Sequence, residues 1–238
     1  VWDRTTCVPS WVDYVVAFRM RMLRRYKFGG YYIDNSSARY GRNANAGFGY
    51  ERDGRIIPTY NYFGLRKLYK RLYTAVNQYE SEHGKPTMIM GHVSGELPLA
   101  FLGFLDNRLD GEQFLGPVRI EKKSYHDLIS LEKWRATNLS ANMGSMAVFL
   151  PEFAAEDCVT PDKTRSLLGL LMLHDMVGAY FTDGNQANTA AAVNMWRMQD
   201  RFSFENAVVQ PYWSNTDVIA GQTDTLKVTA YRQPGGGA

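Results

Sequence analysis

The run Gly30-Tyr31-Tyr32-Ile33-Asp34-Asn35 is short, β-prone and ends on an acid. A helix precedes it: residues 11–27, WVDYVVAFRMRMLRRYK, with Ser10 as N-cap after Pro9 and Gly29-Gly30 as the stop. A Gly/Asn/Arg-rich stretch follows, residues 35–58, too long for an ordinary strand-to-helix connection and so a candidate functional loop. Residues 60–83 then read as a helix. Leu65, Leu68, Leu72 and Val76 recur at helical spacing, Tyr69 and Tyr73 widen the stripe, and Gly84 ends it. Thr87-Met88-Ile89-Met90 is the next β-prone run, and it stops at Gly91-His92.

The same unit recurs downstream. Residues 100–105, AFLGFL, read as a strand ending at Asp106, with Asp110-Gly111-Glu112 close behind. Residues 124–139 read as a helix, and 144–150 as a strand running into Pro151-Glu152. Thr160-Pro161-Asp162 opens a helix carrying LLGLLML, with a Thr N-cap and Pro at its first position. Residues 177–181 read as a strand ending at Thr182-Asp183-Gly184, followed by a helix near 188–201. From about 206 the character changes, and residues 225–231 alternate as a half-exposed antiparallel strand does. Strand, acidic loop and helix, repeated about five times, predict parallel α/β architecture, either an open doubly wound sheet or part of a (β/α)8 TIM barrel. No G-x-G-x-x-G, G-x-x-x-x-G-K-[ST], G-x-S-x-G or H-E-x-x-H occurs, which removes dinucleotide, P-loop, nucleophile-elbow and zincin readings.

Composition narrows the partners. The chain has 238 residues, 45% hydrophobic and 21% charged, an ordinary globular balance. A net charge of +3 gives no reason to expect nucleic acid. No apolar run reaches the roughly 20 residues of a membrane span. Cys7 and Cys158 form neither a disulfide framework nor a metal-ligand spacing, though one bridge between them stays open. No organic cofactor and no metal are expected. Val1 opens directly into a polar turn, so an upstream region is expected to be missing. The end, Pro234-Gly235-Gly236-Gly237-Ala238, reads as a flexible tail.

Aromatic residues make up 13% of the chain, many beside Gly, Asn and Asp, which suits sugar stacking and core packing alike. The acids at strand ends carry the functional reading, because catalytic groups of barrels gather where strands end. Glycosidic cleavage needs two carboxylates, one donating a proton to the leaving oxygen and one acting as nucleophile or base. Asp34 is the nucleophile candidate, with Asn35 beside it as a donor; the competing reading is a turn cap or an Arg partner. Glu112, or Asp110, is the acid/base candidate, with Gly111 allowing a sharp turn between them; the competing reading is an acidic turn. Tyr32, Asn35, His92, Asp106, Asp183 and Trp213 are candidates for holding substrate. A structural role suits His92 equally well, and suits His174, inside an apolar helix, better. The cations Arg19, Arg21, Arg24, Arg25 and Lys27 read as a solvated helix face. A weaker metal-hydrolase reading would use His92, Asp106 and Asp183.

These residues resemble a family of bacterial glycoside hydrolase-like domains of unassigned function. The resemblance rests on Gly30 to Asn35, Arg66 with Tyr69-Lys70-Arg71-Leu72-Tyr73, Gly91-His92-Val93-Ser94, Phe104-Leu105-Asp106 and Asp110-Gly111-Glu112-Gln113, and runs from about 10 to about 231. It implies an exported multidomain protein with a TIM barrel flanked by β-sandwiches, distantly similar to β-N-acetylgalactosaminidases and α-galactosidase-like barrels. On that resemblance residues 1–205 are the second half of the barrel, and 206–238 lead into a C-terminal β-sandwich. Asp34 would end the fourth strand and Glu112 lie at the sixth. A missing N-terminal portion, or another chain, would complete the barrel. The adjacent Asp-Glu pair used in substrate-assisted hydrolysis is at no strand end; Glu156-Asp157 has the reverse order. The alternative function is a non-catalytic carbohydrate-binding or scaffold barrel.

Overall fold

A computed structural model describes residues 7–139, 143–152, 160–179, 186–215 and 225–235. The chain divides into two compact units, 1–109 with 143–145, and 110–142 with 146–238.

The first unit opens with α1 (Pro9–Tyr26). Pro9 stands inside its first turn, where a missing N–H costs nothing, so Val8 and not Ser10 is the N-cap. Lys27 closes the helix in the left-handed conformation, its N–H donating to the Leu23 carbonyl. Strand β1 (Gly30–Ile33) follows. The expected loop 35–58 contains short pieces of structure instead. These are β2 (Tyr40–Gly41), the hairpin β3 (Tyr50–Arg52) and β4 (Arg55–Ile57), and β5 (Thr59–Tyr60), which pairs with β2. Buried Asn61 closes the excursion: its Oδ1 accepts from Arg39 N at 2.8 Å and its N–H donates to the Arg39 carbonyl at 3.1 Å.

Helix α2 (Tyr62–His83) and strand β6 (Met88–His92) match the sequence reading within two residues. The run 100–105 does not. It forms the single turn α3 (Leu99–Leu102), and the strand comes later as β7 (Asn107–Asp110). The polar sequence Asn-Arg-Leu-Asp hides β7 from an apolar count. Arg108 is nonetheless buried, with Nη1 donating to the Ser145 carbonyl at 3.0 Å. β1, β6 and β7 run parallel in that order. Gly30 starts β1 at φ +151°, where a Cβ would lie 2.1 Å from the Met88 carbonyl oxygen, so only glycine permits this pairing. Met20 and Leu23 of α1, Leu65, Tyr69, Leu72 and Val76 of α2, and Ile89 of β6 form one apolar core.

In the second unit, the expected helix 124–139 is broken. Ile129 is extended, separating α4 (Tyr125–Leu128) from α5 (Leu131–Thr137), and Ser130 caps the latter by accepting from Lys133 N. β8 (Met146–Phe149) pairs in parallel with β9 (Val177–Gly178). Between them α6 (Pro161–Leu173) starts as expected, Thr160 Oγ accepting from Lys163 N. Helix α7 (Gln186–Phe202) precedes the antiparallel pair β10 (Val208–Gln210) and β11 (Ala230–Arg232). Trp134, Phe149, Leu167 and Leu171 lie at the centre of a second apolar core.

The architecture is mixed α/β, with five strands in parallel pairing, three in the first unit and two in the second. The described residues contain no closed barrel. Among them, no helix is long and apolar enough to cross a membrane.

Candidate functional site

Asp34 follows β1 directly, at the C-terminal end of the parallel strands. Its side chain is 60% exposed, yet three side chains hold it. Tyr32 Oη donates to Oδ1 at 3.1 Å, Asn35 Nδ2 donates to Oδ2 at 2.7 Å, and His92 Nδ1 lies 3.1 Å from Oδ1. Arg39 Nη2 in turn donates to Asn35 Oδ1 at 3.1 Å, orienting the amide so that its NH2 faces the carboxylate. Desolvation pushes the Asp34 carboxyl up, but the hydrogen bonds from the Tyr32 hydroxyl and the Asn35 backbone, and the nearby His92, outweigh it. The net shift is below the ordinary carboxylate value, so Asp34 is ionised at neutral pH.

The backbone beneath this cluster is pinned. Ser36 N–H donates to the His92 carbonyl at 2.8 Å, which ties the loop after β1 to the end of β6. Ser36 Oγ donates to the Ile33 carbonyl and accepts from buried Tyr69 at 2.6 Å. Burial pushes the Tyr69 phenol up to about 12, so it keeps its proton and remains the donor.

His92 ends β6 with 7% of its surface exposed. Tyr32 Oη lies 2.7 Å from Nδ1, and Ser94 Oγ lies 2.8 Å from Nε2. Tyr32, Asp34, Asn35 and His92 are therefore brought together. Ser94, the last residue of the strand-end run Gly91-His92-Val93-Ser94, joins them, as does Arg39, which stands in no motif of the sequence.

Asp106 is not with them. It precedes β7 rather than ending a strand, and its Oδ2 accepts from Ile89 N at 2.8 Å. Ile89 lies three residues before His92, about 10 Å along a strand at roughly 3.3 Å per residue. Asp106 is thus a backbone anchor near the opposite strand end, which removes it from a metal site with His92. The described residues hold no group of three or more His, Cys, Asp or Glu that could bind a metal ion.

Asp110 and Glu112 belong to the second unit. Asp110 is the last residue of β7, and its carbonyl accepts from Leu150 N at 2.8 Å. Glu112 is exposed in the first position of a single 3-10 turn, Glu112–Phe114. Gly111 lies between them at φ +142°, where a Cβ would meet the Leu150 carbonyl oxygen at 2.1 Å. The expected sharp turn is present, and only glycine satisfies it.

Glu152, another strand-end acid, is buried and pairs with Arg119 Nη2 at 2.6 Å, so its carboxylate is committed to an ion pair. Trp213 packs on His174 at a ring distance of 6.3 Å, and Arg135 sits 5.0 Å above it. Its indole takes part in packing around the core. His174 is fully buried, with Nδ1 2.8 Å from the Leu170 carbonyl, which makes it a structural histidine. Of the α1 cations, Arg21, Arg24, Arg25 and Lys27 are exposed, whereas Arg19 is half-buried over the Tyr31 ring. Buried Cys7 accepts from Asn61 Nδ2 at 3.4 Å. Asp183, Glu156, Asp157 and Cys158 lie outside the described residues. No family model matches the chain, and no curated protein matches it either.

Proposed function

We propose that this chain is a glycoside hydrolase of partial (β/α)8 type, with Asp34 as nucleophile or base and Glu112, or Asp110, as acid/base. The observation that carries the reading is the state of Asp34. It is an ionised, exposed carboxylate at a parallel-strand C-terminus, steadied by Tyr32, Asn35 and His92. A carboxylate that attacks an anomeric carbon, or that deprotonates water, must be charged, accessible and fixed. An exposed Glu112 would take up a proton and return it to the leaving oxygen. Tyr32, half exposed beside Asp34, would supply a face and a hydroxyl to the sugar.

The test is a panel of aryl glycosides with wild type, Asp34→Asn and Glu112→Gln. Loss of a group acting on the reacting atoms lowers kcat by about a thousandfold. Restoration of Asp34→Gly by azide, with inverted product, identifies a nucleophile; the product anomer read by NMR separates retention from inversion. Asp34→Asn at wild-type rate sinks the assignment. A folded wild type that cleaves no glycoside but binds oligosaccharides turns the reading to a non-catalytic binding module.

A further inference from the structure

We propose that Ser94, His92 and Asp34 form a proton relay that makes Ser94 a nucleophile toward carboxylic esters. This activity is separate from glycoside cleavage and does not rest on it, because an ester substrate contains no glycosidic bond.

The protonation pattern follows from the neighbours. Ionised Asp34 only accepts hydrogen bonds. Tyr32 donates its hydroxyl hydrogen to Asp34 Oδ1 at 3.1 Å, so its oxygen faces His92 as an acceptor. Beside His92 Nδ1 stand Tyr32 Oη at 2.7 Å and Asp34 Oδ1 at 3.1 Å, both acceptors in this arrangement. Nδ1 carries the hydrogen, and a neutral imidazole then presents its lone pair at Nε2. Ser94 Oγ stands 2.8 Å from that nitrogen and donates to it. This is the arrangement in which a base activates a serine while an acid fixes the tautomer.

The backbone supplies the presentation. Ser94 is second in the turn Val93–Glu96, which is closed by Glu96 N–H donating to the Val93 carbonyl at 2.9 Å, with Gly95 third at φ +71°. The turn links β6 to α3, so the serine sits just beyond the C-terminal end of a parallel strand without a G-x-S-x-G motif. Ser94 is half-buried and reachable, while His92 beneath it is buried.

In the reaction, Ser94 Oγ bonds to the acyl carbon and its proton passes to His92 Nε2. The ester C–O bond breaks, and that proton goes to the departing alcohol. Water then attacks the Ser94 ester, losing a proton to Nε2, and the proton returns to Oγ as the carboxylic acid leaves. Asp34 and Tyr32 hold the transient imidazolium and exchange no proton.

The experiment treats the full chain with a fluorophosphonate, maps the adduct by mass spectrometry, and follows p-nitrophenyl acetate hydrolysis. The expected result is one adduct on Ser94, absent in Ser94→Ala, with labelling slowed about a hundredfold in His92→Asn. Asp34 is exposed, so Asp34→Asn serves where the buried His92 variant fails to fold, and it slows labelling by at least about tenfold by favouring the wrong tautomer. A folded wild type without a Ser94 adduct overturns the proposal, as does labelling of Ser94 at an equal rate in either variant. Ester turnover without glycoside turnover leaves this inference standing and removes the glycosidase reading; the reverse result does the opposite.

Discussion

Tyr32 is the pivot of the cluster, because one phenol serves both Asp34 and His92. Its donated hydrogen stabilises the ionised carboxylate, so Tyr32→Phe raises the Asp34 pKa. A carboxyl-carbon NMR titration should show the Asp34 midpoint moving to higher pH, and an unmoved midpoint would remove Tyr32 from the network. Gly111 is as specific at the other candidate site. Gly111→Ala combines an unfavourable φ with a Cβ 2.1 Å from a carbonyl oxygen, so backbone must shift. We expect a loss of at least about 2 kcal/mol in denaturant unfolding. The cluster around Asp34 was partly legible in sequence. Asp34, Tyr32, Asn35, His92 and Ser94 follow from strand ends, but Arg39 and the contact of Ser94 with His92 do not. Both depend on how the loop after β1 and the turn after β6 fold back.

At the scale of elements, helices with a clean stripe and punctuated ends were readable, and α2 is the clearest case. Gly84 ends it in the left-handed conformation, as a glycine after an apolar stripe suggests. Helix α6 shows the same at its start. Removing its cap in Thr160→Ala leaves the Lys163 N–H without that acceptor, and thermal unfolding should register a loss of about 0.5–1 kcal/mol. β7 and α3 show where periodicity fails. Ala-Phe-Leu-Gly-Phe-Leu buries Phe101, Leu102 and Leu105 through a helical turn and its exit, while the strand carries buried Asn107 and Arg108. A short apolar run suits either conformation; tertiary hydrogen bonds decided it. The short strands within 35–58 leave no trace in the sequence pattern because their pairs are two or three residues long.

Across the whole molecule, each unit has its own core, and the second carries a buried titratable group. Burial holds His174 below its ordinary value of 6.5, against backbone hydrogen bonds that favour its protonated form. The unfolded chain therefore takes up a proton near pH 6.5 while the folded chain does so only at lower pH. Between those values the unfolded state binds more protons, so this group's stability contribution is complete above the unfolded pKa and is lost as pH falls toward the folded one. The unfolding midpoint should fall between about pH 7.5 and about pH 5.5, and His174→Phe should flatten that dependence. An equal pH dependence in the variant would assign the effect elsewhere. Trp134→Ala, at the centre of the same core, should cost about 3–5 kcal/mol.

The mixed α/β class is legible in the amino-acid sequence. Alternation of strands and amphipathic helices can bury its apolar faces only in an α/β arrangement, and β1, β6, β8 and β9 were visible in that alternation. Asp34 and Glu152 are likewise visible there as strand-end acids, whereas Asp106 precedes β7. Three-dimensional packing sets which of the predicted acids remain available for chemistry. Asp106 is taken up by a backbone N–H and Glu152 by Arg119, whereas Asp34 is left exposed among donors that set its charge. The physical reason is that a carboxylate's role depends on its partners within hydrogen-bonding reach. Those partners come from residues as distant as 58 positions along the chain, as for Asp34 and His92.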